Sequence, residues 1–280
     1  MARRNEVKRI IIHILAVIIG IIVIFPFLAT MLYSTKSYIN VITEVPPKLY
    51  LRWADIVKNY DEALFGRNFI FFIRNSMVIT ISTTLIALII GLPAAYGLSR
   101  FKFKNHGFLT TWILSNRFLP PVAFAVPLFL LIRSMRLLDT YIGLIIPYVA
   151  FALPFVIWIM IGFFDEIPIA IDESAMIDGA SRIHAFIRVI LPLSGPGLVA
   201  TSIFTLIFTW HEFLVGLFIT TTKRVQTLAI GGASIITAES PLFHNLTSTV
   251  GVVTILPIIL IAFVLSKYIV SGMTLGAVKQ

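Results

Sequence analysis

The chain has no cysteine. That excludes disulfides, iron–sulfur clusters and cysteine zinc sites, and leaves the redox compartment open. Charge is also scarce. Of 280 residues only 12% are Asp, Glu, Lys or Arg, about half the ~25% of a soluble globular domain. So few charges cannot coat a water-facing surface of this size. The five histidines are scattered and form no H-x-x-x-H or similar pair, so a metal site has no support. No G-x4-G-K-[ST] phosphate loop occurs, and nucleotide chemistry therefore has no seat in this sequence. There is no low-complexity tract, no short repeat, and no pair of matching halves of the kind many secondary transporters show.

Apolar residues fill the space. They make up 58% of the chain, and the mean hydropathy is +0.97. This argues for an all-α polytopic membrane protein. The net charge of +9 does not point to nucleic acid. Lys and Arg sit mostly between apolar runs, where membrane-flanking charge belongs.

A crossing helix needs ~20 mostly apolar residues. Six such segments can be marked, at about 10–33, 73–98, 109–132, 141–163, 193–220 and 248–269. The third is interrupted by Asn116, Arg117, Pro120 and Pro121. The fifth carries Gly195, Pro196 and Gly197 near its start and His211 and Glu212 inside. The first run exceeds the h-region of a signal peptide, and no small-x-small cleavage site follows, so it reads as a retained span. The domain expectation is a cytoplasmic N-terminus over 1–9, a six-span membrane domain over 10–270, and a cytoplasmic tail over 271–280.

Arg3, Arg4, Lys8 and Arg9 precede the first span, and Arg100, Lys102 and Lys104 lie in the short loop after the second. The positive-inside rule puts both, and with six spans both termini, in the cytoplasm. The total basic count on the two sides is nearly even, so the orientation rests on these two segments. The segment 34–72, with Pro46, Pro47, Trp53 and mixed charge, is then external and suited to the membrane surface. The segment 221–247 is external too, polar and rich in Gly, Ser and Thr.

The cytoplasmic loop 164–192 is the most informative stretch. Pro168 suits the first turn of a helix. Gly179 falls where a residue of positive φ would end that helix, and Ser181 can cap a second one. In the second helix Ile183, Phe186, Ile187 and Ile190 share one apolar face, and Pro192 breaks it before the next span. The first helix is expected to expose Asp172, Glu173 and Asp178. Exposed acids fit poorly on anionic lipid, so a protein partner explains this hairpin better than a purely interfacial one.

The spacing resembles that of binding-protein-dependent ABC importer permeases, whose loop reads E-A-A-x3-G-x9-I-x-L-P. Here the match is Glu173, Ser174 and Ala175, then Gly179, Val189, Leu191 and Pro192. Ser and Val replace the second motif residue and the Ile, keeping small and β-branched character. Asn75-Ser76, Ala94-Ala95-Tyr96, Asp178-Gly179-Ala180-Ser181, Leu191 to Gly197, Trp210-x-Glu212-Phe213 and Gly276 to Lys279 also resemble the carbohydrate branch of that family. His211 stands where an Asn is common.

The resemblance implies an inner-membrane transport subunit. Two permease subunits would form a pathway for a sugar or sugar derivative, and an external solute-binding protein would deliver it. Two ATPase subunits, carrying ATP and magnesium, would bind below. The residues Glu173, Ser174, Ala175, Asp178, Gly179, Leu191 and Pro192 would dock on one of them. No cofactor belongs to this chain.

Ionisable groups inside a span are functional by default, because lipid exposure costs several kcal/mol. Arg117, His211 and Glu212 are therefore candidate pathway residues, and Asn116 and Trp210 join them as neighbouring polar and aromatic candidates. Arg117 lies ~12 Å up its span and Glu212 ~21 Å up its own, a gap of ~9 Å that only a long side chain would bridge. Glu212 can line the pathway or hydrogen-bond a neighbouring helix. Trp210 is more often packing than sugar stacking, and Asn116 can serve a hydroxyl or a helix. The competing functions are weaker. A secondary transporter needs coupling carboxylates near the midplane, and Glu212 is the single acid within a marked span. An importer of a non-carbohydrate solute stays open. An intramembrane hydrolase would need His211 and Glu212 together, yet neighbours on a helix point ~100° apart. The purified chain, without an ATPase partner, should show background ATP turnover; a specific magnesium-dependent activity would overturn this reading.

Overall fold

The computed structural model describes residues 2–44, 47–116, 120–238 and 244–277. All regular structure among them is helical. In chain order the helices are α1 (Ala2–Ser34), α2 (Tyr38–Thr43), α3 (Trp53–Asp61), α4 (Phe69–Arg100), α5 (His106–Ser115), α6 (Ala125–Ser134), α7 (Tyr141–Glu166), α8 (Ile169–Ile177), α9 (Arg182–Ala185), α10 (Leu191–Leu193), α11 (Gly195–Trp210), α12 (Leu214–Ile219), α13 (Leu228–Ala238) and α14 (His244–Ala277).

Among the described residues three helices are long and apolar enough to cross a membrane unaided: Arg9–Ser34, Phe69–Arg100 and Tyr141–Glu166. Two of the remaining apolar segments are divided, while the sixth lies within the continuous helix α14. The third expected span resolves into α5, a 3-10 turn at Pro121–Phe124, and α6. Pro120 and Pro121 mark the break: Pro120 is extended, with ψ of 128°, as a residue before proline tends to be. The fifth resolves into α11 and α12, separated at 211–213. At Ser194 the chain bends by 79° between Arg182–Leu193 and Gly195–Trp210. A helix that bends this sharply can enter the bilayer from a segment lying along its surface.

The chain divides into two compact units, Met1–Ile70 with Gly232–Leu256, and Phe71–Gly231 with Pro257–Gln280. In the first, the residues following α1 are tied by polar contacts. Lys36 is 1% exposed, donates to Glu44 Oε2 at 2.7 Å and lies over the Tyr50 ring. Burial of a lysine is tolerable here because its charge is both paired and stacked. The bonds from Lys36 and then Tyr50 hold the Glu44 carboxyl below its usual range. Asn59 donates to the Ser34 and Lys36 carbonyls at 2.9 and 2.7 Å and accepts from Asn245 at 3.0 Å.

The second unit packs α4, α7 and α11. One cluster, with Ile79, Leu144, Tyr148, Val215 and Ile219 at its centre, fills the end near the start of α4. Another, with Leu92, Tyr96, Met160, Phe164, Phe186 and Ile190, fills the opposite end. Thr140 caps α7 by accepting from the Gly143 N–H at 3.0 Å. Asn75 donates to the carbonyls of Arg224 and Gln226, and Tyr141 donates to Asn75. Asp139 accepts from the Thr221 and Thr222 amides and the Thr221 hydroxyl. Burial would raise this carboxyl, but the hydrogen bonds outweigh burial and leave it below its usual value.

Gly197 is the point of closest approach between α11 and α7. A Cβ there would lie 2.3 Å from the Phe163 ring, whereas one at Gly195 would meet nothing within 4 Å. Overpacking of this kind costs about 1–3 kcal/mol. Gly197→Ala should therefore lower the thermal unfolding midpoint of the detergent-solubilised chain, with Gly195→Ala close to wild type. Equal midpoints for the two variants would refute the close-packing assignment.

Candidate functional site

The loop between α7 and α11 is a helical hairpin whose turn is closed by its own backbone. Pro168 precedes α8 as its N-cap, with ψ of 135°, one position before the first turn where the sequence suggested it. At the far end Asp178 donates to Ser174, Gly179 to Met176 and Ala180 to Ala175, at 3.0, 3.1 and 3.0 Å. The last two are the paired bonds that end a helix through a left-handed residue. Gly179 supplies that residue, at φ +89°. Ser181 then caps α9 by accepting from the His184 N–H. Both the Gly turn and the Ser cap lie where the sequence placed them.

The second arm departs from the expected apolar face. Phe186–Ile190 forms a π-turn, with Leu191 N–H bonding to Phe186 O. An extra residue in the turn shifts the helical phase. Ala185, Phe186 and Ile190 consequently point inward, while Ile183 and Ile187 are 72% and 53% exposed. Glu173, Ser174, Asp178, Gly179 and Pro192 are also exposed, and Ala175 and Leu191 are half-buried. Ile177 is 86% exposed. The hairpin thus exposes acidic and aliphatic side chains on the first arm and Arg182, His184 and Arg188 beside aliphatics on the second.

Asp172 corrects the sequence reading. It was expected on the surface, yet it is 4% exposed. It accepts from the Tyr96 hydroxyl and from Arg100 Nε, the latter at 2.8 Å. Arg100 also donates to Phe164 O at 2.9 Å, Ile167 O at 3.0 Å and Ser99 Oγ at 3.2 Å. Ser99 in turn donates to Asp165. Arg100 therefore ends α4, binds two carbonyls at the end of α7, and grips α8 by its first-turn acid. Its positive charge is favourable at two helix C-termini. Under it the rings of Tyr96, Phe164 and Phe186 lie with centroids 4.7–6.1 Å apart. Sequence reasoning used Arg100 only for orientation. A basic residue ending an apolar span was the available signal, but its acidic partner is 72 residues away.

The pathway candidates scatter. Glu212 is half-buried, and its two carboxylate oxygens accept from the Val215 and Gly216 amides at 2.8 and 3.1 Å. It restarts the chain as α12 after the break. Trp210 is 5% exposed and packed inward, and His211 is exposed. Asn116 donates to Trp112 O at 2.8 Å. Arg117, the expected reach toward Glu212, lies outside the described residues.

Asn116 borders a cavity of about 760 Å³ whose lining is otherwise almost wholly apolar. Pro121, Pro127, Pro147 and Pro154 all line it. Four prolines within or between the apolar helices thus converge on one space. Among the described residues no group of His, Cys, Asp or Glu could hold a metal ion.

Residues 84–275 match the family described as the inner membrane component of binding-protein-dependent transport systems. The chain belongs to this family. The matched stretch includes the hairpin, the Arg100 contacts and the cavity. A similar protein is the trehalose/maltose transport system permease protein MalG of Thermococcus litoralis, 33% identical over 282 residues and 99% of each chain. Another is the trehalose transport system permease protein SugB of Mycobacterium tuberculosis, 37% identical over 224 residues, 79% of this chain and 81% of that one. In fold the permease resembles a chain of a bacterial ABC transporter involved in the import of alginate. The TM-score is 0.79 at 22% identity, over 95% of this chain and 98% of that one.

Removing the Glu212 carboxylate strands two backbone donors, at a cost of about 1–3 kcal/mol. Glu212→Ala should lower the unfolding midpoint, and Glu212→Gln, which keeps one acceptor oxygen, should lower it less. If Ala and Gln cost the same, or neither costs anything, the capping role is wrong.

Proposed function

We propose that this permease is one half of the translocation pathway of an ATP-driven importer for a sugar or sugar derivative. A second permease subunit would complete the pathway, an external binding protein would deliver solute, and two ATPase subunits would hydrolyse ATP with magnesium. The reading takes six spans, both termini and the hairpin on the cytoplasmic side, and a permease domain over 10–270 with its coupling loop at 164–192. The carbohydrate assignment is supported by the relatives' transport of trehalose and maltose. The pathway candidates stay Asn116, Arg117, Trp210, His211 and Glu212, of which His211 is exposed and Asn116 and Glu212 are half-buried.

The observation that carries the coupling role is the hairpin itself. Glu173, Asp178 and Ile177 stand outward on a helix whose turn is internally bonded, while the base of that helix is held against α4 and α7. A body with an exposed tip and an anchored base can carry a push from a docked ATPase to the spans. The apolar wall of the cavity is a poor sugar site by itself, which agrees with a pathway completed by a partner subunit.

A β-branched residue at φ +89° is strained by roughly 1–2 kcal/mol or more, although its Cβ would meet nothing within 4 Å. Gly179→Val should still insert in the membrane but lose either ATPase docking or the coupling of hydrolysis to uptake. Glu173→Lys should behave likewise, and Glu173→Ala more mildly because Ala keeps helix propensity. The assay is the full complex in vesicles, with assembly, ATP turnover and uptake scored separately. Wild-type values of all three in Gly179→Val would sink the coupling assignment.

A further inference from the structure

The geometry points to Arg100 and Asp172 as positioning residues for energy coupling: their buried interlock makes the hairpin and the inner ends of α4 and α7 move as one body. The inference rests on the proposed docking of the hairpin to an ATPase.

Three observations carry it. Both side chains are 5% exposed, so the pair is shielded from screening by salt and water. The guanidinium divides its donors between elements. Its Nε holds the Asp172 carboxylate of α8, while Nη1 and Nη2 hold Phe164 O and Ile167 O at the end of α7. A planar fork can serve carboxylate and carbonyls together; a lysine, a single point charge, cannot hold the same three directions. The second Asp172 oxygen receives the Tyr96 hydroxyl, and the Tyr96 ring is 4.7 Å from that of Phe186 in the π-turn. Both arms of the hairpin therefore meet α4 within one turn of helix, one through charge and one through rings.

This arrangement separates two jobs. The outward side chains Glu173, Ile177 and Asp178 face a docking partner, and the interlock lies on the opposite, buried side. Damage to the interlock should leave docking and hydrolysis in place and lose the transfer of movement. Stability alone does not predict that split, because a merely structural pair would lower assembly, hydrolysis and uptake together.

The test uses the complete complex in vesicles, with cognate ATPase, partner permease and binding protein, and reads solute taken up per ATP hydrolysed. Asp172→Asn and Arg100→Lys should each assemble and hydrolyse ATP near the wild-type rate. Uptake per ATP should fall by about tenfold, within the usual range of coupling between sites. Asp172→Glu should recover part of the loss. If Asp172→Asn strands Arg100 and the chain fails to assemble, the neutral pair Asp172→Asn with Arg100→Gln removes the unpaired charge and must show the same fall. An assembled variant with wild-type uptake per ATP overturns the inference, and so does failure of both the single variant and the neutral pair to assemble, which would make the interlock a folding element. Failure of the wild-type chain to retain its ATPase would instead overturn the docking reading.

Discussion

A guanidinium taken out of water must have its donors answered, or the cost of burying its charge is not recovered. In this permease the requirement falls on Arg100, at the last residue of α4. Its position leaves few ways to satisfy it. The acceptors it meets are two carbonyls at the end of α7 and a carboxylate on α8, and the chain uses both. The register of α8, the direction in which the hairpin leaves the spans and the burial of Phe186 all follow from this choice. Sliding α8 by one residue would bring Glu173 or Ile171 to the guanidinium and leave Asp172 facing outward.

Elsewhere the bilayer sets the terms. Three long helices answer most of their backbone groups internally, as lipid demands, although each carries at least one proline inside it. Where the chain breaks, a local acceptor or donor takes over: Glu212 at the start of α12, Thr140 at the start of α7, Ser194 bonding back to Leu191. Breaks and polar groups therefore coincide. The prolines around the cavity follow the same logic, because a helix without some of its internal bonds can curve away from its neighbour and leave space.

Much of this was legible in the sequence because it is local. The Gly179 turn and the Ser181 cap depend on a few neighbouring residues, and both were read correctly. The long apolar runs announced α1, α4 and α7. What was not legible depends on partners far along the chain. Asp172 looks like any first-turn acid until Arg100, 72 positions earlier, is brought beside it. Ile183 and Ile187 fit an ideal helical stripe, but the π-turn needed to seat Phe186 on Tyr96 and Phe164 shifts that stripe outward. The capping bonds of Glu212 were not legible because its partners are backbone amides, which carry no sequence signal.

The closed turn at Gly179 has a consequence for cycling. Every amide from Asp178 to Ala180 bonds within the hairpin, so the tip keeps its shape without help from a neighbour. A segment that must order itself on contact pays that entropy at each encounter, and a preorganised one does not. If the hairpin docks on an ATPase as proposed, such a tip would engage and release it repeatedly with little conformational search. The free energy of contact is then available for moving helices rather than for folding the part that touches them.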